Sequence, residues 1–374
     1  MLPARNLEFK CYYSGTQDAE ALCNSLGATF LASHTQVDTY FMTSRGRLKI
    51  RETDVGREII YYERLNSVNP KESVYLKTRL GDDCSIVKQL LEAALGSPVT
   101  VRKRRTVLAT ASALVNLDTV DNVGTFVEVE VQIERAGSID RAYHTANQLK
   151  TALGVTYPDM IPFSYADLVL MKKASGEWHE ALSAVDYSGR LYFLDGVSGA
   201  GKSSLLYAIL EDKSLDMHCV PRHTTRALRS DASESECIFV PPTQFHNLVL
   251  TGAFFEFRDF EFGMSYGLTW DMAMTPLLSG HNAIGIINFG NVRHVAELLP
   301  EATRILVDAP LQTIEKRLRN RGHNTEEQIQ ERLANARLVE AYRSYYDYVI
   351  NNDDGLFDGS VAMLKNIICP GPPI

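Results

Sequence analysis

Residues 196–203 carry the most specific chemical pattern in the chain. They read Gly-Val-Ser-Gly-Ala-Gly-Lys-Ser, which fills every fixed position of a phosphate-binding loop. The apolar segment 190–195 before it is typical of a short strand, and segment 204–211 after it has helical spacing. In this setting backbone N–H groups surround phosphate oxygens, Lys202 reaches the β- and γ-phosphates, and the Ser203 hydroxyl ligates Mg²⁺. We therefore predict that this part of the chain binds ATP with Mg²⁺, and the alternative is a chance glycine-rich turn.

Arginines beyond the loop are spaced as a lid that closes over bound phosphates. Arg317 lies in a helix predicted at 310–320, Arg321 follows that helix directly, and Arg332 lies in the next predicted helix. Phosphoryl transfer needs cations around the moving phosphoryl group, whereas a solvated basic helix face is the alternative. Asn352 follows a predicted strand, where we expect it to contact adenine. The predicted nucleotide ligands are Gly196, Ser198, Gly199, Gly201, Lys202, Ser203, Ser204, Arg317 and Asn352, and the predicted catalytic cations are Lys202, Arg321 and Arg332.

Charged side chains alternate with apolar ones along predicted strands in residues 1–170. Segment 46–52 places its basic residues on one strand face, and segment 126–132 does the same with Glu128 and Glu130. A solvated outer face explains one such strand. If the charged faces of four strands converge inside a closed barrel, basic residues can bind a polyphosphate and carboxylates can hold a divalent metal. Metal and phosphate together then neutralise charges that are costly to bury.

Seven segments in one order resemble the CYTH, or triphosphate tunnel, family, which includes class IV adenylyl cyclases and thiamine triphosphatases. They are residues 6–10, 36–41, 46–52, 60–64, 101–105, 117–130 and 164–168. The resemblance implies metal carboxylates at Glu8, Glu128 and Glu130, with Mg²⁺ or Mn²⁺ as the metal. It implies catalytic triphosphate ligands at Lys10, Lys49, Arg51, Arg64, Lys103 and Arg105. The chain departs from the family at Asn6, where a glutamate is expected, and at Asn116, where a basic residue is expected.

The tunnel site leaves the reaction open. Metal and cations stabilise charge on a triphosphate that is being cleaved. Water that attacks the γ-phosphorus gives a triphosphatase, whereas the 3′-hydroxyl of the substrate that attacks the α-phosphorus gives a cyclase and pyrophosphate. A non-catalytic sensor that binds a polyphosphate or nucleotide and regulates the kinase is the alternative. A triphosphatase of nucleic-acid ends needs an accessible basic rim, which the acidic net charge of the chain argues against.

Residues 189–365 resemble the guanylate kinase family. Besides the phosphate-binding loop and the arginines, segments 223–229, 255–257 and 265–269 match the family. The resemblance implies that the phosphate of the acceptor is held by Arg226, Arg229 and Tyr266, and its base by Glu256.

Several departures from this family argue against GMP as the acceptor. Leu268 replaces a hydroxyl residue that would face guanine, and Asn288 ends a strand where the family has an aspartate. When those hydrogen-bond partners are missing, the kcat/KM for a guanine nucleotide falls by orders of magnitude. Arg222 and Asn288 are more similar to a relative of the family, ribose bisphosphate phosphokinase. We expect a phosphorylated sugar or another nucleoside monophosphate, and a non-catalytic kinase scaffold is the alternative.

Length and composition indicate a two-domain globular protein. The chain has 374 residues, 45% apolar, with a formal net charge of −8, which argues against a nucleic-acid partner. It shows no membrane-spanning run or signal peptide, so we expect a cytoplasmic protein without a membrane partner, and a homodimer is left open. We predict an α+β closed antiparallel β-barrel at 1–172, a linker at 173–188 and an α/β P-loop domain with a parallel sheet at 189–374.

The pattern also predicts individual elements. Strands are predicted at 6–13, 46–52, 58–65, 74–79, 99–108, 124–133, 190–195, 283–287, 303–307 and 347–350. Helices are predicted at 17–26, 86–95, 139–153, 202–211, 292–299, 310–320 and 325–345.

Overall fold

The computed structural model of the protein consists of two compact units. The residues it describes are 4–13, 19–185, 188–227, 236–260, 263–320, 322 and 325–369. The barrel unit comprises Met1–Lys173, Pro241–Ala253 and Arg258–Met264, and the P-loop unit comprises Ala174–Val240, Phe254–Phe257 and Ser265–Ile374. The predicted linker is helical as far as Ser183, because a long helix continues through its first part. The domain boundaries themselves stay a prediction.

A closed antiparallel barrel forms most of the barrel unit. Its strands are β1 Ala4–Tyr12, β2 Thr29–Phe41, β3 Arg47–Thr53, β4 Gly56–Arg64, β5 Lys71–Leu80, β6 Val99–Ala109, β7 Ala113–Val120 and β8 Gly124–Gln132. Their order around the barrel is β1-β5-β4-β3-β2-β6-β7-β8, and β8 pairs with β1. The helices of this part of the chain are α1 Ala19–Leu26, α2 Cys84–Leu95, α3 Ile133–Ala136, α4 Ile139–Ala152 and α5 Tyr165–Ser183. The predicted barrel is confirmed, although the sequence patterns did not predict β2 and β7 as strands.

The alternation along the strands decides which side chains face the lumen of the barrel. In β1, Leu7 and Phe9 are buried in an apolar cluster with Val127 and Val129 of β8. The same cluster includes Ala146 of α4, so the apolar faces of these strands pack against helices outside the barrel. The residues between them carry the charges, and strand alternation therefore turns those charges into the lumen.

A buried ion pair joins the barrel to the start of α5. Arg47 NH1 and NH2 donate to the two carboxylate oxygens of Asp167 at 2.7 and 2.9 Å. Arg47 also donates to the Ser164 hydroxyl at 3.0 Å, and Asp167 accepts the backbone N–H of Ser164 at 2.7 Å. Arg47 is 5% and Asp167 2% exposed, so solvent does not replace a lost partner.

Asp167→Ala is expected to lower the free energy of unfolding by about 3–5 kcal/mol, because it leaves the Arg47 guanidinium buried without a counter-charge. Urea unfolding followed by circular dichroism measures the change. Glu72→Ala is the matched control, since Glu72 pairs with Arg5 near the surface and its loss should matter much less. Equal stability of the two variants would show that the buried pair contributes no more than an exposed one.

The P-loop unit is built on a parallel sheet. The remaining strands are β9 Leu191–Asp195, β10 Met217–Val220, β11 Arg222–Thr224, β12 Cys237–Phe239, β13 Phe254–Phe260, β14 Met264–Thr269, β15 Asn282–Ile286, β16 Thr303–Asp308 and β17 Tyr348–Asn351. The parallel sheet has the order β10-β15-β9-β16-β17, which confirms the predicted architecture. A second sheet, in the order β12-β11-β14-β13, was not predicted.

The remaining helices of the described residues lie in the P-loop unit, except the one at Pro242–Leu250, which lies in the barrel unit. They are α6 Lys202–Glu211, α7 Pro242–Leu250, α8 Trp270–Leu278, α9 Val292–Leu298, α10 Leu311–Asn320, α11 Glu326–Ala336, α12 Val339–Tyr342 and α13 Phe357–Ile368. The single helix predicted over 325–345 is therefore wrong: it is divided into α11, α12 and a short 3₁₀ turn, Arg343–Tyr345. Among the described residues, no helix has the length and apolarity needed to cross a membrane.

Candidate active sites

The lumen of the barrel brings the predicted tunnel residues together. One cavity is lined by all nine of them, namely Glu8, Lys10, Lys49, Arg51, Arg64, Lys103, Arg105, Glu128 and Glu130. They come from β1, β3, β4, β6 and β8, and in each strand they occupy the alternate positions whose side chains face the lumen. The cavity therefore holds basic residues that suit a polyphosphate beside carboxylates that suit a divalent metal.

Cross-strand register places the three predicted metal carboxylates close to one another. Glu8 of β1 lies opposite Glu130 of β8, and Lys10 lies opposite Glu128. Lys10 Nζ donates to Glu128 Oε1 at 2.9 Å, and Arg64 pairs with Glu8. Burial alone would raise the pKa of Glu128, but Lys10 and Arg105 hold it well below its usual range.

Glu130 has a different environment from Glu128. It accepts hydrogen bonds from the side-chain amides of Asn116 at 3.0 Å and Asn6 at 3.4 Å. Burial, together with the charge of Glu128, raises the pKa of Glu130 above its usual value. Three carboxylates and two amide side chains offer the oxygen donors that Mg²⁺ and Mn²⁺ prefer, so the residues present fit the implied metal.

Two buried aspartates were missed from the sequence. Asp38 of β2 accepts from Arg51 Nε at 2.8 Å and from Lys49 Nζ at 2.7 Å. Asp118 of β7 accepts from Arg105 Nε at 2.7 Å and from Lys103 Nζ at 3.2 Å. The pairing of the strands could have identified them, because Asp38 lies opposite Arg51 and Asp118 lies opposite Arg105. Asp38 thus pairs with both predicted phosphate ligands of β3, and Asp118 pairs with both predicted phosphate ligands of β6.

Aromatic rings also line the lumen. The Tyr165 ring centroid lies 3.8 Å from Lys10 Nζ and 4.6 Å from Lys103 Nζ, and its hydroxyl donates to Asp118 at 2.7 Å. Burial and the charge of Asp118 raise the pKa of Tyr165 well above its usual range, so the phenol stays protonated. A ring between two ammonium groups fixes both by cation–π attraction.

The phosphate-binding loop follows the carboxyl end of β9, and α6 begins at Lys202. Gly196, Gly199 and Gly201 have φ of 135°, 94° and 100°, which favour glycine. A β-carbon at Gly196 would also collide with a backbone carbonyl of β16. Lys202 Nζ donates to the carbonyls of Gly196 at 2.5 Å and Val197 at 2.9 Å, so its ammonium sits over the cradle that phosphates would occupy.

The structure gathers most of the predicted nucleotide residues at this loop. Arg332 donates to the Ser198 hydroxyl, and Arg317 NH1 donates to the Gly199 carbonyl at 3.3 Å. Asn352 is buried and its amide donates to the Ala200 carbonyl at 2.8 Å, so it supports the loop directly. Its contact with adenine stays a prediction, although Asn352 lines a cavity together with Gly199, Gly201, Ser204 and Arg317. Arg321 lies outside the described residues.

Two of the predicted acceptor residues, Glu256 and Tyr266, lie on the second sheet. Glu256 of β13 is fully buried and accepts from the Asn288 amide at 3.1 and 3.0 Å and from the Asn291 amide at 2.7 Å. The Asn288 amide also donates to the Tyr266 carbonyl at 3.1 Å, which places Glu256 and Tyr266 side by side. Sequence reasoning missed Asn291.

Arginines of the predicted acceptor site follow β11. Thr224, two residues before Arg226, pairs with Tyr266 of β14, and the Arg222 guanidinium lies 5.3 Å from the Tyr266 ring centroid. The Arg226 guanidinium lies 5.7 Å from the ring centroid of Phe239. Arg229 lies outside the described residues. Arg222 begins β11 and Arg226 follows it, so both lie along the strand that pairs with the strand of Tyr266.

Glu256 predicts a pH dependence of stability. Burial raises its pKa to about 7, although the hydrogen bonds from Asn291 and Asn288 oppose the shift. Because the folded state favours the protonated acid, the contribution of Glu256 is fully present below about pH 4.5 and is lost as pH rises through 7. Relative to Glu256→Gln, the wild type should lose about 2.5 kcal/mol of unfolding free energy between pH 5 and pH 8. Urea unfolding across this range measures it, with exposed Glu211→Gln as control; a constant difference would contradict the prediction.

Comparison with known proteins identifies both parts of the chain. Residues 188–370 match the family model for guanylate kinase, and residues 4–165 match that for the CYTH domain. A guanylate kinase from Shewanella violacea is 36% identical over 182 residues, which cover 48% of this chain and 86% of that protein. The chain belongs to the guanylate kinase family. Its first part is a CYTH domain, so both resemblances drawn from the motifs are confirmed.

Two solved structures have low sequence identity to this guanylate kinase family member. A guanylate kinase from Anaplasma phagocytophilum is 22% identical, covers 49% of this chain and 86% of its own, and has a TM-score of 0.38. The PH1012 protein from Pyrococcus horikoshii is 23% identical, covers 44% of this chain and 98% of its own, and has a TM-score of 0.39. By the two family models, the chain carries a domain of the nucleoside monophosphate kinase class and a domain of the adenylate cyclase and triphosphatase family.

Proposed function

We propose that the P-loop unit transfers the γ-phosphoryl group of ATP to a small phosphorylated acceptor other than GMP. The environment of Glu256 carries this proposal. Its carboxylate already accepts three hydrogen bonds from Asn288 and Asn291, which occupy the oxygen atoms that would accept from guanine. Leu268, fully buried, offers no hydroxyl to the base. If GMP bound, its guanine would leave polar groups unpaired in this site. Buried unpaired polar groups lower kcat/KM by orders of magnitude.

The residues of the donor site fit ATP and Mg²⁺. Lys202 exchanges its bonds to the Gly196 and Val197 carbonyls for phosphate oxygens, which carry more negative charge. Arg317 and Arg332 already touch the loop, so they need little movement to reach the transferred group. Mg²⁺ held at Ser203 would neutralise charge on the β- and γ-phosphates.

An acceptor panel tests the kinase proposal. The full chain is incubated with ATP, Mg²⁺ and GMP, AMP, CMP, UMP, ribose 5-phosphate or ribose 1,5-bisphosphate, and kcat/KM is measured from ADP release and product mass. We expect an acceptor other than GMP to exceed GMP by at least about a hundredfold. Leu268→Ser/Asn288→Asp should raise the use of GMP, because it restores a hydroxyl and a carboxylate. GMP as the preferred acceptor of the wild type would overturn the proposal.

We also propose that the barrel unit binds a nucleoside triphosphate with Mg²⁺ or Mn²⁺ and cleaves its phosphate chain. The pairing of cations with the predicted metal carboxylates supports this. Lys10 pairs with Glu128 and Arg64 with Glu8, so a metal that takes these carboxylates releases both cations to phosphate oxygens. Metal and triphosphate should therefore bind with positive coupling.

Product analysis tests the tunnel proposal. ATP with Mn²⁺ or Mg²⁺ and no acceptor is incubated with the Lys202→Ala chain, which silences the P-loop unit. Inorganic phosphate would identify a triphosphatase, and cyclic AMP with pyrophosphate would identify a cyclase. Metal-dependent ATP binding that Glu130→Gln removes, without turnover, would overturn cleavage and favour a sensor. Asn6, which stands where a carboxylate is expected, also favours a sensor.

A further inference from the structure

Two histidines and an aspartate converge at one end of the parallel sheet in the P-loop unit. Asp216 precedes β10, His218 lies in β10, and His281 precedes β15. One ligand atom from each lies within 4.8 Å of the others, and His281 Nδ1 is 2.8 Å from Asp216 Oδ2. The two imidazole centroids are 4.6 Å apart. This cluster, here called the His–Asp cluster, plays no part in either proposed reaction.

The backbone fixes the positions of the His–Asp cluster. β10 and β15 are parallel neighbours, with Met217 opposite Asn282 and His218 opposite Ala283. The same register places Asp216 opposite His281, and His218 lies two residues further along on the same side of its strand. Asp216 has a φ of 44°, a left-handed conformation that turns its carboxylate toward the strand pair. A β-carbon at Gly189 would collide with the His281 carbonyl, so the chain packs tightly beneath this position. The convergence is therefore built into the main chain.

We propose that the His–Asp cluster binds a transition-metal ion, with Zn²⁺ as the best match. Imidazole nitrogen and carboxylate oxygen are common zinc donors, and three protein ligands leave a fourth position for water. Tetrahedral coordination separates ligand atoms by about 3.4 Å, so two side chains that start at the 4.8 Å limit each need to move by about 0.7 Å. An ion pair between Asp216 and His281 would not require His218, whereas a metal site uses all three. Asp216 and His218 are exposed, which lets an ion enter.

The location assigns this metal a structural role. The phosphate-binding loop follows the carboxyl end of β9, whereas the His–Asp cluster stands at the amino ends of β10 and β15. β10 is an edge strand of the parallel sheet. A metal that ties the start of β10 to the residue before β15 stabilises this edge and leaves the nucleotide site unchanged.

Zinc titration of the full chain after removal of any affinity tag tests the site. All proteins carry Glu130→Gln, which removes a predicted metal ligand of the tunnel. Calorimetry should show one saturable Zn²⁺ equivalent that is lost in His218→Ala/His281→Ala. Asp216→Asn should weaken binding by at least about tenfold. His144→Ala is the matched control, since it removes an exposed histidine of the barrel unit and should change nothing.

Cobalt gives a second readout that reports coordination. Co²⁺ should produce the intense visible absorption of a four-coordinate ion in the parent and in His144→Ala, and only weak absorption in the double variant. Zn²⁺ should raise the melting temperature of the parent and of His144→Ala but not that of the double variant, and the parent and the double variant should have equal melting temperatures in chelator. Zinc binding of equal stoichiometry and affinity in parent and double variant, or no saturable binding in the parent, would overturn the proposal.

Discussion

Lys202→Ala is expected to lower kcat/KM for ATP-dependent phosphorylation by about 10²–10³-fold. Lys202 begins α6 and places its ammonium against the Gly196 and Val197 carbonyls, at the centre of the loop that receives the phosphates. Alanine leaves the glycine conformations and the backbone donors of the loop in place, so binding of ATP should weaken less than turnover. The cation that stabilises charge on the transferred group is lost.

Steady-state ADP release with the preferred acceptor measures the effect of Lys202→Ala. Lys213→Ala is the matched control, because Lys213 is an exposed lysine of the same unit that contacts only the Leu210 carbonyl among the hydrogen bonds described. Metal-dependent ATP cleavage by the barrel unit should survive in both variants. A kcat/KM for Lys202→Ala within about threefold of the wild type would show that phosphoryl transfer does not use this loop.

Glu130→Gln is expected to abolish metal-dependent cleavage of ATP by the barrel unit while the fold is kept. Glu130 accepts from Asn116 and Asn6 and contacts Arg105 only at 3.5 Å. Burial and the charge of Glu128 raise the pKa of Glu130, so the site disfavours its negative charge. Glutamine is nearly isosteric with the neutral acid, so the cost in stability should be small. It lacks the negative charge that holds Mg²⁺ or Mn²⁺.

Glu128→Gln is a poorer probe of the same step. Glu128 is the carboxylate that pairs with Lys10 at 2.9 Å and also contacts Arg105, so its loss leaves buried cations uncompensated. Such a change lowers the free energy of unfolding by about 3–5 kcal/mol. A loss of activity could then come from unfolding as well as from the missing metal ligand. Glu63→Gln, on an exposed carboxylate of β4, is the matched control for Glu130→Gln. Full cleavage activity in Glu130→Gln would exclude Glu130 as a required metal ligand.

Strand alternation explains why the tunnel residues could be predicted from the sequence. Lys49 and Arg51 lie on one face of their strand and apolar residues lie on the other. This alternation has a period of two residues and can be read without knowing the neighbouring strands. Asp38 and Asp118 could not be found this way, because each is a single charge whose meaning depends on the strand beside it. β2 and β7, which carry them, were also missed as strands.

The acceptor site shows the same limit in the P-loop unit. β11 and β12 are three-residue strands, too short to show a period, and Asn291 lies in a loop after β15. Its role emerges only from the bond between its amide and Glu256, two residues far apart in sequence. The continuous helix predicted over 325–345 failed for a related reason, since the pattern does not show that α11 ends at Ala336.

One experiment tests most directly whether the chain holds two separate catalytic sites. Wild type, Lys202→Ala, Glu130→Gln and the double variant are each incubated with ATP, Mg²⁺ or Mn²⁺ and the preferred acceptor, and all products are resolved by mass. We predict that Lys202→Ala loses only the phosphorylated acceptor, that Glu130→Gln loses only the product of triphosphate cleavage, and that the double variant loses both. Loss of both products in either single variant, with the fold intact, would contradict two separate sites.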